Sequence, residues 1–427
     1  VNNLISSIFR GLSVITSGYC LAVLILFFSV ADQALGHEGL LPASPTLLCL
    51  FLLAPFGIGL LIQHCARPEL PGPLRIIAEN STVLAPFLIV ALITIILSAL
   101  PDAYWAEGGK WILLIPYGLS ITASATCLGR YSFMHSALPL AVLLSNILLV
   151  LSIWYDTIYP GTFAPITNRA AGFPGNANFA ALVSVTLCAG GLYFGNPSLP
   201  AQRFNFGSVV INLLILLTTF AVVCMTMSRS GLINFSLLAA LFLFYRFSNS
   251  AVSPQARALE AFALSIGAIA ALSFIVTFSQ ISTATHGNSR LTRFINNQQV
   301  DDGSAGTRLQ AVKEGINLIE LAPILGHGSG FARTMSELPH NIYIQQWVNN
   351  GLFGLIGYLG FLLSALLTFH RRGCRNGVAL IAVAAIGGVF SHNILDQRPF
   401  LIMLGLLLGG SSGAVKNRNE VLEVVLK

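Results

Sequence analysis

Residues 207–245 read GSVVINLLILLTTFAVVCMTMSRSGLINFSLLAALFLFY, and the only charge in the stretch, Arg229, stands where one apolar run ends and the next begins. A helix needs about 20 predominantly apolar residues to cross the hydrocarbon core. The stretch therefore reads as two spans, 207–227 and 230–245, joined with almost no loop. Strands of a membrane barrel would alternate apolar and polar residues; these runs are continuously apolar, so helices alone satisfy the backbone in lipid. Working outward, the same reading marks runs at 11–30, 46–64, 82–100, 111–128, 136–155, 178–195, 259–279, 350–369, 378–393 and 397–413. The predicted fold is all-α: a polytopic membrane helical bundle of about twelve transmembrane helices, forming one integral membrane domain over residues 1–427.

Composition agrees. Charged residues make up 9% of the 427 positions, against about 25% in soluble domains, and the mean hydropathy is +0.78. A soluble enzyme, a disordered chain and a nucleic-acid binder are excluded. Lys and Arg accumulate in short cytoplasmic loops. With the N-terminus inside, 13 of the 22 basic residues fall on the cytoplasmic side, and an even number of spans places both termini there. Cys20, Cys49, Cys188 and Cys224 fall in spans, while Cys65, Cys127 and Cys374 fall at or near cytoplasmic ends, so all seven read as inert apolar packing. The first run is too long for a signal-peptide core, and no cleavage is expected.

Connections are short except at residues 280–349, which form one long outside loop between the ninth and tenth spans. A loop of that size is functional or disordered, and its pattern favours order. Leu309, Val312, Ile316, Ile319 and Leu321 are spaced for one face of an amphipathic helix over 307–321, which Pro323 ends. A glycine-rich turn follows at 324–330. The other sizeable outside loop lies between Asp156 and Asn178, where Pro160, Gly161, Pro165, Gly172, Pro174 and Gly175 predict an irregular, rigid path.

Outside arginines run against the topology rule and need a reason. Arg229 at a membrane surface is costly unless it meets an anion, and its fork suits phosphate oxygens. Arg169 and Arg308 stand in the two outside loops and can converge on the same anion; Arg290 and Arg293 are further basic candidates in the long loop. His340, in the segment LPHNIYIQQ at 338–346, stands where that loop re-enters the membrane. Its imidazole titrates near neutrality and can take a proton from a hydroxyl. Asn341, Gln345 and His392 are supporting candidates. Outside carboxylates are scattered, so no metal and no cofactor are expected; nucleotide-binding, zinc-protease and CxxC patterns are absent.

Arg169 with Gly172, Asn176 and Asn178, then Ser228-Arg229-Ser230-Gly231, then Arg308 with Pro323 and Gly326-His327-Gly328, then Pro339-His340-Asn341 with Gly351, follow one another in an order that resembles the O-antigen ligase and polymerase superfamily. The resemblance covers about residues 165–400. Many members have an acidic residue before the glycine that follows the histidine motif, where this chain has Asn349-Asn350-Gly351. It implies a GT-C-like bundle in the bacterial inner membrane with its active site facing the periplasm. It also implies transfer of O-antigen polysaccharide from undecaprenyl pyrophosphate to a sugar hydroxyl of lipid A-core, among membrane lipids and with no nucleic acid. Within the superfamily the ligase fits best, an O-antigen polymerase or a protein O-oligosaccharyltransferase being the alternatives. From another class, a flippase for lipid-linked glycan would carry its ionisable groups near the midplane.

Overall fold

The computed structural model describes residues 30, 45–66, 72–100, 118–131, 134–163, 170–194, 206–248, 258, 303–391 and 394–425. Among these residues there is helix and no strand. In chain order the helices are α1 Pro45–Ala66, α2 Pro73–Glu79, α3 Ser81–Leu97, α4 Gly118–Gly129, α5 Met134–Ile158, α6 Ala177–Gly191, α7 Phe206–Met225, α8 Arg229–Phe247, α9 Gly303–Leu321, α10 Ile342–Arg371, α11 Arg375–Phe390 and α12 Arg398–Val425. Ten of the expected apolar runs coincide with these helices; those at 11–30, apart from residue 30, and at 259–279 lie outside the described residues. By length and composition, Ala137–Ile158, Arg229–Phe247 and Ile342–Arg371 suffice to cross a membrane, with a fourth span if α2 and α3, bent by 84°, act as one. Gly118–Gly129, Ala177–Gly191, Val209–Met225, Arg375–Phe390 and Arg398–Ser412 are apolar but shorter.

The architecture is a helical bundle around α6, which packs against α5, α7, α8, α11 and α12. Its sequence, ANFAALVSVTLCAGG, is small and apolar on every side, and from Ala180 to Gly191 every residue is buried. A helix apolar all round belongs in a core, and small residues let neighbouring backbones approach closely in a membrane. Asn146 joins three helices inside the bundle. Its amide donates to Thr219 Oγ1 at 2.9 Å, and its oxygen accepts from Ser184 Oγ at 2.9 Å.

The outer surface is inverted relative to a soluble protein. On α3, Val83, Phe87, Val90 and Ala91 are buried while Leu88, Ile89, Leu92 and Ile96 are exposed. On α10, Tyr358, Phe361, Ala365 and Phe369 are buried while Phe353, Ile356, Leu359 and Leu363 are exposed. Apolar surface on this scale needs an apolar surrounding, which lipid supplies.

Two expectations change. The helix in the long loop begins at Gly303, and its packed face is not the expected stripe: Ala311, Gly315 and Ile319 are buried, while Leu309, Ile316 and Leu321 are exposed. Small residues decide this, because α9 lies close to α10 and a Cβ on Gly315 would come within 2.6 Å of Ile344. The tenth helix also begins earlier than its apolar run, at Ile342. Its polar first turns, with Gln345, Gln346, Asn349 and Asn350, are buried in protein, so hydropathy alone does not mark them.

Candidate active site at one end of the bundle

Three helices start close together, and each start is capped by a polar side chain. Asn176 Oδ1 accepts from the amides of Asn178 and Phe179 at 3.0 and 3.2 Å. Ser228 Oγ accepts from Gly231 N at 3.1 Å, and Asn341 Oδ1 accepts from Tyr343 N and Ile344 N at 2.9 and 3.2 Å. Ser228 Oγ also donates to Asn178 Oδ1 at 3.0 Å, fastening the start of α8 to that of α6. The last turn of α11 lies between α8 and α10: Gly387 faces Asn234 and Leu182, and Gly388 faces Ile342 and Tyr343. Ser228-Arg229 and His340-Asn341 therefore share one end of the bundle. Each helix start carries about half a positive charge, so three together favour an anion.

Arg229 opens α8 and is exposed. The turn before it is tight: Thr226 Oγ1 donates back to Val222 O at 2.9 Å, and Met227 adopts φ 50°. A non-glycine residue in this left-handed region is uncommon and costs energy. Here it lets α7 reverse into α8 with Ser228 placed as a cap and Arg229 at the surface.

His340 precedes α10 and is half-buried. Burial, and after it the Arg308 guanidinium, push its pKa below the usual 6.5, while Glu337 acts in the opposite sense. Arg308 on α9 and His340 are thus within electrostatic reach, and the imidazole is neutral at pH 7 and able to accept a proton. Glu314 of α9 helps to set this distance, since its carboxylate accepts from Ser336 Oγ at 2.6 Å and Ser336 N at 3.3 Å.

The glycine-rich turn after α9 locks into a break in α10. Gly351 sits at φ 62°, ψ −161°, outside helical geometry, and Leu352 N donates to Pro323 O at 3.0 Å. The carbonyls that the break releases accept from the turn: Val348 O from His327 N and Asn349 O from Gly328 N, both at 2.9 Å. Every one of these backbone groups is then paired. Asn349 Oδ1 accepts from Ala332 N at 2.8 Å, and Asn350 Oδ1 accepts from Ser329 Oγ at 2.9 Å. His327 is structural too, with Nε2 2.8 Å from Leu318 O and its ring stacked on Phe331.

Of the residues singled out in the sequence, His340 and Arg308 come together, and Arg229 lies at the same end. Asn341 is the cap of α10, and Gln345, one turn further, is buried with Oε1 lacking a hydrogen-bond partner among the described residues. Arg169, His392, Arg290 and Arg293 lie outside the described residues. Sequence reasoning passed over Asp156, read as an isolated carboxylate. It is buried, and it accepts from Phe163 N at 3.2 Å, Ala171 N at 2.8 Å and Gly172 N at 3.3 Å. It thus clamps both ends of the loop that carries Arg169. An acid just inside a helix end, before a Pro- and Gly-rich loop, was the signal available. Glu337 was also missed, although it stands three positions before the histidine.

No curated protein gives a significant match to this chain. Residues 214–359 match the family model described as O-antigen ligase, a segment that runs from α7 into α10 and contains Arg229, Arg308, His340 and the interlocked glycines. Over that segment, about a third of its length, the chain is similar to the O-antigen ligase family.

Proposed function

We propose that the protein is an O-antigen ligase, an inverting, metal-independent glycosyltransferase that moves O-antigen polysaccharide from undecaprenyl pyrophosphate to a sugar hydroxyl of lipid A-core on the periplasmic face of the bacterial inner membrane. The observation that carries this reading is that His340, at the entry to α10, and Arg308 of α9 lie within electrostatic reach of each other, at the end of the bundle that also carries Arg229. His340 takes the proton of the acceptor hydroxyl, whose oxygen attacks the anomeric carbon from the face opposite the leaving group. The bond from that carbon to the pyrophosphate oxygen breaks, and undecaprenyl pyrophosphate departs with the electron pair. Arg308 and Arg229, with Arg169, bind its oxygens and stabilise the charge that grows on them. Pyrophosphate leaves readily, so electrostatic stabilisation matters more than protonation.

The test is transfer in vitro with purified protein, undecaprenyl-pyrophosphate-linked glycan and lipid A-core, in EDTA. Glycan appearing on the acceptor is the expected result. Elongation of the lipid-linked glycan instead would make the protein a polymerase, and donor binding with neither product would make it a transporter.

The pH profile gives a second expected result. A base works when neutral, and burial and Arg308 lower the His340 pKa, so the acid limb of kcat/KM lies at lower pH than an ordinary imidazole would give. Arg308→Gln removes an effect that lowers the pKa and moves the acid limb to higher pH. Glu337→Gln removes one that raises it and moves the limb to lower pH. Limbs that stay in place in both variants would show that His340 is not the titrating base.

A further inference from the structure

Helix α10 is two helices joined at Gly351. Tyr343 and Tyr358 would stand roughly 22 Å apart along a straight helix, yet their ring centres are 5.5 Å apart, so the chain bends sharply at the break. The part after it, residues 352–371, is roughly 30 Å long and matches the hydrocarbon core. Leu352, Phe353 and Ile356 are exposed at its head and face lipid.

The turn that ends α9 sits on this head, since Leu352 N donates to Pro323 O at 3.0 Å and to Ile324 O at 3.1 Å. It is as apolar as the surface it meets. Leu321 is 77% exposed, Ile324 58% and Leu325 50%, against 52% for Phe353 and 57% for Ile356, and no residue in 321–326 is charged. Large apolar side chains exposed together, rather than singly, mark an interaction surface. The backbone of the turn is also prepared for lipid, where an unpaired carbonyl is costly. Leu318 O accepts from Ala322 N at 3.2 Å, Ala322 O accepts from Gly326 N at 3.0 Å, and Pro323 O accepts from Trp347 Nε1 at 3.0 Å as well as from Leu352. Trp347 is half-buried, and tryptophan favours the boundary between membrane and water. An uncharged surface that continues the lipid-facing side of α10 belongs to the same bilayer.

We propose that the turn at 321–325 is a membrane anchor, with Leu321, Ile324 and Leu325 entering the leaflet at the His340 end. The side chains reach about 5–10 Å into the boundary between headgroups and acyl chains. Part of the stretch that the sequence places outside the membrane therefore enters it. Arg308 stands on the same helix, roughly 20 Å back from Leu321, so the anchor tethers it to the surface at which a lipid-linked phosphate is presented. The anchor rests on the surface of the turn alone and stands whether the protein is a ligase, a polymerase or a transporter.

The test uses the full wild-type chain in vesicles of phosphatidylethanolamine and phosphatidylglycerol, with two labelling reactions read by peptide mass spectrometry. A phospholipid carrying a photoactivated carbene precursor in one acyl chain marks what touches lipid, and hydroxyl radicals mark what touches water. Lipid adducts are expected on Leu321, Ile324 and Leu325 at the level of Phe353 and Ile356, and severalfold above Lys313 and Asn317, which are exposed on α9. Oxidation by hydroxyl radicals should rank these positions the other way. Oxidised Ile324 and Leu325 without lipid adducts would place the turn in water. Protection from both reagents would mean that protein covers it, whether a second copy or another part of this chain. Either result overturns the proposal, and neither depends on glycan transfer.

Discussion

His340→Ala lowers glycan transfer about a thousandfold, the middle of the range for losing a positioned general base, without unfolding the bundle. The fold should survive because the bonds that begin α10 belong to its neighbours: Asn341 Oδ1 caps the helix, and Tyr343 Oη donates to Ala385 O at 2.7 Å, fixing α10 to α11. Substrate binding should also survive, since the arginines carry the charge of the pyrophosphate. The loss then falls on kcat more than on KM, as expected for an interaction made in the transition state. Added imidazole separates a missing base from a distorted site, because it can enter the space left by the ring and restore part of the rate in a pH-dependent way. More than a tenth of wild-type activity in His340→Ala, with no response to imidazole, would remove His340 from the mechanism.

How much of this was legible in the sequence depends on which force fixes each part. The apolar helices were legible because lipid imposes a simple rule, and runs such as 207–227 and 230–245 became Phe206–Met225 and Arg229–Phe247 with ends shifted by a residue or two. Arg229 stood out as a charge between two apolar runs and His340 as a base beside a loop boundary; of the candidates, Arg308 and His340 come within electrostatic reach of each other. What could not be read was packing between elements distant in sequence. The face of α9 was misjudged because a stripe of large residues was assumed to be the contact, whereas Ala311 and Gly315 permit the closer approach. The start of α10 was hidden because Gln346 and Asn350 pair with each other at 2.9 Å inside protein, which hydropathy scores as loop. Asp156 was overlooked because its partners are backbone amides, and its place at a helix end before a Pro- and Gly-rich loop was the only hint of them.

Gly351→Ala is the other change with a large expected effect, and it tests whether the interlock of α9 and α10 builds the site. A Cβ at Gly351 would lie 2.0 Å from Ile324 O and 2.6 Å from Gly326 N. Both obstacles are backbone, so no rotamer change relieves them, and φ 62° is costly for any residue with a Cβ. Clash and strain together place the loss at about 4 kcal/mol, at the upper end for single substitutions. Because a membrane protein denatures irreversibly, the quantity to measure is the temperature of half-inactivation in detergent, which should fall by several degrees. Gly360→Ala is the control on the same helix: a Cβ there meets nothing within 4 Å, and alanine favours helix over glycine by about 1 kcal/mol. The folded fraction of Gly351→Ala carries the sharper information. If the turn at 323–330 no longer seats in the break, α9 shifts from α10 and Arg308 moves away from His340. The acid limb of kcat/KM should then move to higher pH, as in Arg308→Gln. Indistinguishable stability in Gly351→Ala and Gly360→Ala would show that the break in α10 is not held by the glycine turn.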